Sequence, residues 1–415
     1  MNVEKIKNFS PAFLGIYSFA FFAPLSIAFS QISIGITVIG WIFLIMSRKA
    51  LNWKRTALDI PLLIYAGIQL IAALNSQDIL TGLKNWLNTD WFIIFFYAVI
   101  HVLHEEDQYK KVILLLAVSG TIAAAYGIIQ HFIGIDYIRG NTNIWPYGKF
   151  HRAIGFFDIP LTYGGVQLCL FFLILPFYFL KSPLFNRKIV LIILFFLCLS
   201  IFASYARSAW LGLGGAMLLM LVFLENKYKI SILLTLLAVL LALYLFHPQL
   251  LFENGIISMF DVSETAPYNN LVRLNLWHSS INLIRDNWLI GVGYSHFYDI
   301  FSIYKVPFDY GGLSDPHNIY LKVICHSGII GGLAFIYVWF QFLYANYRIY
   351  KPDFVNVRSI FQAGSIGSFF AIFSLLIAGI TQEYYYDHEN AELWWFIAAL
   401  GCCAILNQKK TNLKP

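Results

Sequence analysis

The chain has 415 residues, of which 59% are hydrophobic and only 12% charged, and its formal net charge is +6. Soluble domains carry roughly a quarter charged residues, and apolar runs of at least ~18 residues, long enough to cross a bilayer, recur here from end to end. That excludes an ordinary soluble domain. The five cysteines, Cys169, Cys198, Cys325, Cys402 and Cys403, all sit in apolar segments, which excludes a disulfide-stapled ectodomain and a cysteine-bound zinc.

The start, Met1 to Phe9, carries Lys5 and Lys7 and runs straight into an apolar segment with no small-residue cleavage site after it. A retained first helix is therefore expected, not a signal peptide. Along the chain, hydropathy places about twelve transmembrane helices, near 11–28, 31–46, 59–75, 88–104, 111–134, 159–180, 188–205, 208–225, 229–246, 317–346, 360–381 and 391–406. The expected architecture is an all-α polytopic membrane protein, a single membrane domain over 1–415, with tight hairpins at Ser30 and Arg207. Between spans nine and ten, the long stretch 247–316 is expected to fold as short helices that form a lid over the bundle mouth. No appended soluble domain and no internal repeat is expected.

The positive-inside rule sets the orientation. With the N-terminus inside, the inner segments collect Lys5, Lys7, Arg48, Lys49, Lys54, Arg55, Lys110, Lys111, Lys181, Arg187, Lys188, Lys227, Lys229, Arg348, Lys351, Arg358, Lys409, Lys410 and Lys414, most of the 28 Lys and Arg. Both termini are then expected in the cytoplasm. The outer side keeps Lys84, Arg139, Lys149, Arg152, Arg207, Arg273, Arg285, Lys305 and Lys322. Outer arginines run against that preference, so each either snorkels, pairs with a loop carboxylate, or meets an anionic substrate.

Two of them stand at helix edges. Arg152 precedes the sixth span in His151-Arg152-Ala153-Ile154-Gly155, and Arg207 lies in the hairpin Ser204-Tyr205-Ala206-Arg207-Ser208. A guanidinium fork matches phosphate oxygens bidentately, as a lysine ammonium does not. In the outer stretch, Arg273 opens a segment whose Leu274, Trp277, Ile281, Ile284 and Trp288 fall at three- and four-residue steps. That spacing predicts an amphipathic helix on the membrane surface or the bundle mouth. Gly291-Val292-Gly293 follows and reads as a turn that redirects the chain, since no strand–helix context supports nucleotide binding. In Ser314-Asp315-Pro316-His317-Asn318, Pro316 suits the first turn of a helix and puts His317 at the outer mouth of the tenth span. Neutral imidazole is a general base near pH 7, and nearby arginines would keep it deprotonated. His326, further along the same span, reads as structural.

Together, Arg152-x-x-Gly155, Arg207-x-x-Trp210, Arg273-x-x-x-Trp277, Gly291-x-Gly293 and Asp315-Pro316-His317-Asn318-x-x-Leu321 resemble the bacterial O-antigen ligase superfamily, which also holds O-antigen polymerases and protein O-oligosaccharyltransferases. The resemblance spans about residues 150–335. It implies a GT-C-like fold and a glycosyltransferase that moves polymerised O-antigen from undecaprenyl diphosphate to the lipid A–core oligosaccharide. The reaction would invert the anomeric centre at the periplasmic face of the inner membrane, with no cofactor, metal or nucleotide sugar. Carried onto this chain, His317 would be the base, Arg207 and Arg273 would hold the donor diphosphate with Arg152 as a third member, and Asp315, Asn318 and Trp277 would support them. The first outer turn, around Ser30, has no Asp or Glu, where many membrane glycosyltransferases keep a catalytic carboxylate, and the acids of the long stretch are scattered. A metal-free mechanism is expected on that ground.

The expected partners are the lipid-linked glycan, the lipid A–core acceptor and membrane lipids, with no nucleic acid. A polymerase would use the same donor with a second lipid-linked glycan as acceptor, and no residue separates it from the ligase. Protein O-oligosaccharyltransferases usually have longer C-terminal regions. A transporter of lipid-linked sugars would place polar groups at mid-membrane, whereas here they gather at one face.

Overall fold

The computed structural model describes residues 11–48, 53–181, 186–224, 266–350 and 357–411, together with Lys229, Asp261 and Ser263. The helices, in chain order, are α1 (Pro11–Phe22), α2 (Ile27–Arg48), α3 (Asp59–Leu74), α4 (Ile79–Asp90), α5 (Phe92–Val102), α6 (Glu106–Ile133), α7 (Pro160–Ile174), α8 (Arg187–Ala203), α9 (Arg207–Phe223), α10 (Tyr268–Asp286), α11 (Phe297–Ile303), α12 (Ile319–Tyr350), α13 (Ile360–Ala378) and α14 (His388–Thr411). Two small antiparallel hairpins lie between α6 and α7: β1 (Ile135–Asp136) with β2 (Asn141–Thr142), and β3 (Pro146–Tyr147) with β4 (Phe150–His151).

Among the described residues, six helices are long and apolar enough to cross a membrane: α2, α6, α7 with the 3-10 turn that continues it to Phe179, α12, α13 and α14. Shorter apolar helices, α1, α3 and α9, pack beside them. The protein is a multi-pass membrane protein. Its centre is α7, α13 and α14, which are buried along most of their length. The rings of Phe335, Trp339, Tyr385, Trp394 and Trp395 close this centre with edge-on and tilted contacts. The outer helices turn apolar residues outward, as Ile32, Ile39, Phe43 and Met46 do on α2 and Ile192, Phe195 and Leu199 on α8. In water such patches would drive association; against lipid they are the expected face.

Several expected spans are redrawn. The first stops at Phe22, and the turn falls at 23–26 instead of at Ser30, which lies inside α2. Pro24 is the cause, because it cannot continue a helix. The fourth, 88–104, is divided at Trp91: α5 is apolar, whereas α4 is a polar helix capped by Asp78, whose carboxylate accepts from the backbone N–H of Leu80 at 3.1 Å and Thr81 at 3.3 Å. The expected ninth span, 229–246, and the beginning of the outer stretch, 247–260, lie outside the described residues apart from Lys229.

The helix opened by the Arg273 segment forms. α10 buries Val272, Leu276, Ser279, Ser280 and Leu283, while Ile281 and Trp288 are exposed. Leu274, Trp277 and Ile284 are half-buried, so the apolar stripe is divided between the protein and the surface. The Gly291–Gly293 turn has a specific role. Helix α12 is interrupted at Ser327 and Gly328, the latter at φ 67°, and the carbonyls of Cys325 and His326 are taken instead by the N–H groups of Val292 and Gly293, each at 2.9 Å. A Cβ at Gly328 would run into the carbonyl of Leu289, and one at Gly291 into the backbone of His326, so both contacts require glycine. His326 is structural: its Nδ1 meets the carbonyl of Gly293 at 2.9 Å and its ring stacks on Phe297.

Candidate active site

At one end of the bundle, Arg152, Arg207, Arg273 and His317 line a single cavity of about 320 Å³, together with Trp145, Tyr147, Leu161, Tyr205, Asn269, Val272 and Leu313. These residues come from distant parts of the chain. The β3–β4 hairpin supplies Trp145 and Tyr147, and its exit strand leads into Arg152. The backbone N–H of Arg152 donates to the carbonyl of Trp145 at 2.9 Å, and that of Ala153 to Ala203 at 2.9 Å, which docks the hairpin on the α8–α9 corner.

That corner is short. Tyr205 adopts φ 50° between α8 and α9, and Arg207 is the first residue of α9. The guanidinium of Arg152 reaches over the corner, donating to the carbonyls of Ser204 at 3.2 Å and Tyr205 at 3.3 Å. Arg207 donates to the side-chain oxygen of Asn270 at 3.1 Å, which ties the corner to α10. Arg273 sits one turn further along α10.

None of these three arginines has a carboxylate partner among the described residues. Arg139 is the contrast. It pairs with Asp136 at 2.8 Å and Asp158 at 3.1 Å and also donates to the carbonyls of Phe156 and Phe157, so it is fully spent on structure. Burial, then the neighbouring Arg207, push Arg273 down to about 10. Arg152 is lowered by burial and by Arg207. A cavity that gathers like charges at such cost suits an anion.

His317 closes the cavity from the start of α12. It precedes the helix instead of lying in its first turn. The cap is Asn318, whose side-chain oxygen accepts from the N–H of Tyr320 at 2.9 Å and Leu321 at 3.0 Å. Pro316 thus stands three residues before Ile319, the first helical residue, instead of in the first turn. His317 holds φ 48°, a strained conformation for a non-glycine residue. Its backbone N–H donates to Glu383 Oε1 at 2.6 Å, and Glu383 Oε2 accepts from Lys322 Nζ at 2.7 Å. Lys322 pairs in turn with Asp315 at 2.7 Å, and Tyr298 donates to the same carboxylate at 2.9 Å. Trp277 Nε1 donates to the carbonyl of Pro316 at 3.1 Å.

Asp315, Asn318 and Trp277 therefore hold the backbone around His317 and do not line the cavity. Gln382 lies beside the imidazole, yet both ring nitrogens are buried without a well-formed hydrogen bond. Burial, and secondarily Arg273, lower the His317 pKa, with Asp315 opposing. The ring is neutral near pH 7.

Glu383, Gln382 and the aromatic group Trp145, Tyr147 and Tyr205 are the residues that sequence reasoning missed. A signal existed for the first two: Thr381-Gln382-Glu383-Tyr384-Tyr385-Tyr386-Asp387 is a polar interruption between two spans. Burial raises the Glu383 carboxyl, and Lys322 pulls it back.

Residues 192–336 match the family model described as O-antigen ligase. The chain resembles the O-antigen ligase superfamily. It is also 23% identical over 309 residues to the O-antigen ligase of Pseudomonas aeruginosa PAO1, a match covering 74% of this chain and 66% of that protein, just under two thirds of its length. The ligase-like segment contains Arg207, Arg273 and His317, whereas Arg152, Trp145 and Glu383 lie outside it. Within the segment, the groups that line the cavity come from the α8–α9 corner, α10 and the approach to α12.

Proposed function

We propose that this chain is an inverting, metal-independent glycosyltransferase that moves a glycan from undecaprenyl diphosphate to lipid A–core oligosaccharide at the periplasmic face of the inner membrane. The observation that carries the reading is the convergence on the same small cavity of three arginines without carboxylate partners among the described residues and one neutral histidine whose ring nitrogens make no well-formed hydrogen bond. The ligase-family similarity supports the choice of donor and acceptor.

In this mechanism Arg207 and Arg273 bind the donor diphosphate, with Arg152 as a third cation. His317 accepts the proton of the acceptor hydroxyl as its oxygen attacks the anomeric carbon from the face opposite the diphosphate. The bond from that carbon to the diphosphate oxygen breaks, and the electron pair leaves on undecaprenyl diphosphate. The arginines stabilise that charge where it grows, and their burial strengthens the effect of fixed positive groups. The described part of the long outer stretch, 266–316, contributes Asn269, Val272, Arg273 and Leu313 to the cavity wall, which supports its role as a lid. With both termini in the cytoplasm, the cavity opens to the periplasm.

The test is transfer by the purified protein, offered a lipid-linked glycan with and without lipid A–core. Core-dependent transfer, lost in His317→Ala while the variant still inserts and folds, is the expected result. Glycan growth without core would make the chain a polymerase using the same donor. Wild-type transfer by His317→Ala would remove the base.

A further inference from the structure

Trp145 is an odd residue to find at the cavity rim. It is a large apolar side chain, 47% exposed, and it holds φ 39°, where non-glycine residues are strained. Strain of that kind persists only where the surroundings impose it, and here they do. Its carbonyl accepts from the N–H of Arg152 at 2.9 Å, and its indole N–H donates to the carbonyl of Asp158 at 3.1 Å. Both ends of the residue are clamped, so the ring has a fixed orientation and an uncovered side. The guanidinium of Arg152 lies 5.9 Å from the ring centroid. Tyr147 and Tyr205, their rings 4.3 Å apart, continue the aromatic lining of the same cavity.

We propose that Trp145 is a stacking platform for the sugar ring joined to the diphosphate, a pyranose subsite on the donor side. The inference rests on the donor reading above and adds the sugar. A pyranose presents a face of C–H groups with partial positive charge, which suits the negative face of an indole. Position selects the donor ring over the acceptor. Arg152 contacts the indole face and also belongs to the arginine group, and the first sugar is separated from the diphosphate by a single bridging oxygen. The acceptor hydroxyl, by contrast, must approach His317. A pre-fixed ring costs little entropy on binding, which is what makes it efficient for selecting a ligand.

The test measures binding of two ligands to the purified full-length protein: bare undecaprenyl diphosphate and undecaprenyl diphosphate carrying its glycan. Trp145→Ala is expected to weaken binding of the glycosylated carrier about tenfold while leaving bare carrier binding at the wild-type level, which also reports correct folding. Trp145→Phe keeps an aromatic face and is expected to recover most of the loss. Equal loss for both ligands would mean that Trp145 only holds Arg152, and no loss for either would make it an interfacial anchor; either result overturns the proposal. Arg207→Ala and Arg273→Ala, assayed on the bare carrier, report separately on the diphosphate reading.

Discussion

His317 and Arg273 are linked by charge as well as by position. The imidazole must be neutral to take a proton, and burial together with the Arg273 cation holds its pKa below the ordinary histidine value of about 6.5. Activity should therefore persist at acidic pH and fall only as the pH drops through that lowered pKa. Arg273→Gln removes a neighbouring cation, so His317 should protonate more readily and the acidic limb of the transfer-rate profile should move to higher pH. Rates of the variant and wild type, each measured across pH 4–8, check this. An unshifted limb would mean that another group controls it. The same residues show what a sequence can reveal at this scale. The arginines stood out because they opposed the topological charge rule, and His317 because it followed a proline at a span edge. Glu383 did not, because its contact with His317 joins residues 66 positions apart, and nothing local in a polar inter-span loop announces such a partner.

At the scale of elements, most helices follow from apolar runs that end at polar residues or prolines, and this is why their order was legible. Where the reading erred, short-range chemistry prevailed over hydropathy: Pro24 set the first turn, and the polar Asn88-Thr89-Asp90 ended one helix before the apolar run of α5 began. The interruption in α12 was visible as Ser327-Gly328 but not interpretable, because its partners lie in the 291–293 turn. Gly328 is the position that should tolerate change least. It combines positive φ with an extended ψ of −174°, a region open essentially to glycine alone, and it abuts the Leu289 carbonyl. Gly328→Ala is expected to destabilise the protein by about 1–3 kcal/mol, read as a lower Tm of the detergent-solubilised protein. A Tm equal to that of wild type would show that the turn carrying Leu289 moves aside freely.

Across the whole molecule, the two ends of the bundle are chemically different. One end carries the cavity, the hairpins and the Asp315–Lys322–Glu383 chain; the other carries Arg348 and Arg358, both exposed. The cysteines offer a clean background for fixing orientation, since Cys169, Cys325, Cys402 and Cys403 are buried and Cys198 half-buried. A membrane-impermeant thiol reagent applied to the periplasmic side should label Lys149→Cys, and should label Arg358→Cys only after the membrane is permeabilised. The reverse pattern would invert the topology and with it the side assigned to the proposed transfer. The break in α12 has one more effect at this scale. Bilayers of different thickness force long helices to tilt, and a continuous α12 would carry any tilt straight to its outer end. Here the outer piece, residues 319–326, is fastened by backbone hydrogen bonds to the 291–293 turn and by Ile319 N–H to the carbonyl of Gly379. His317, the proposed base, is thus mounted next to the surface framework, an arrangement that would decouple its aim from the thickness of the lipid beneath it.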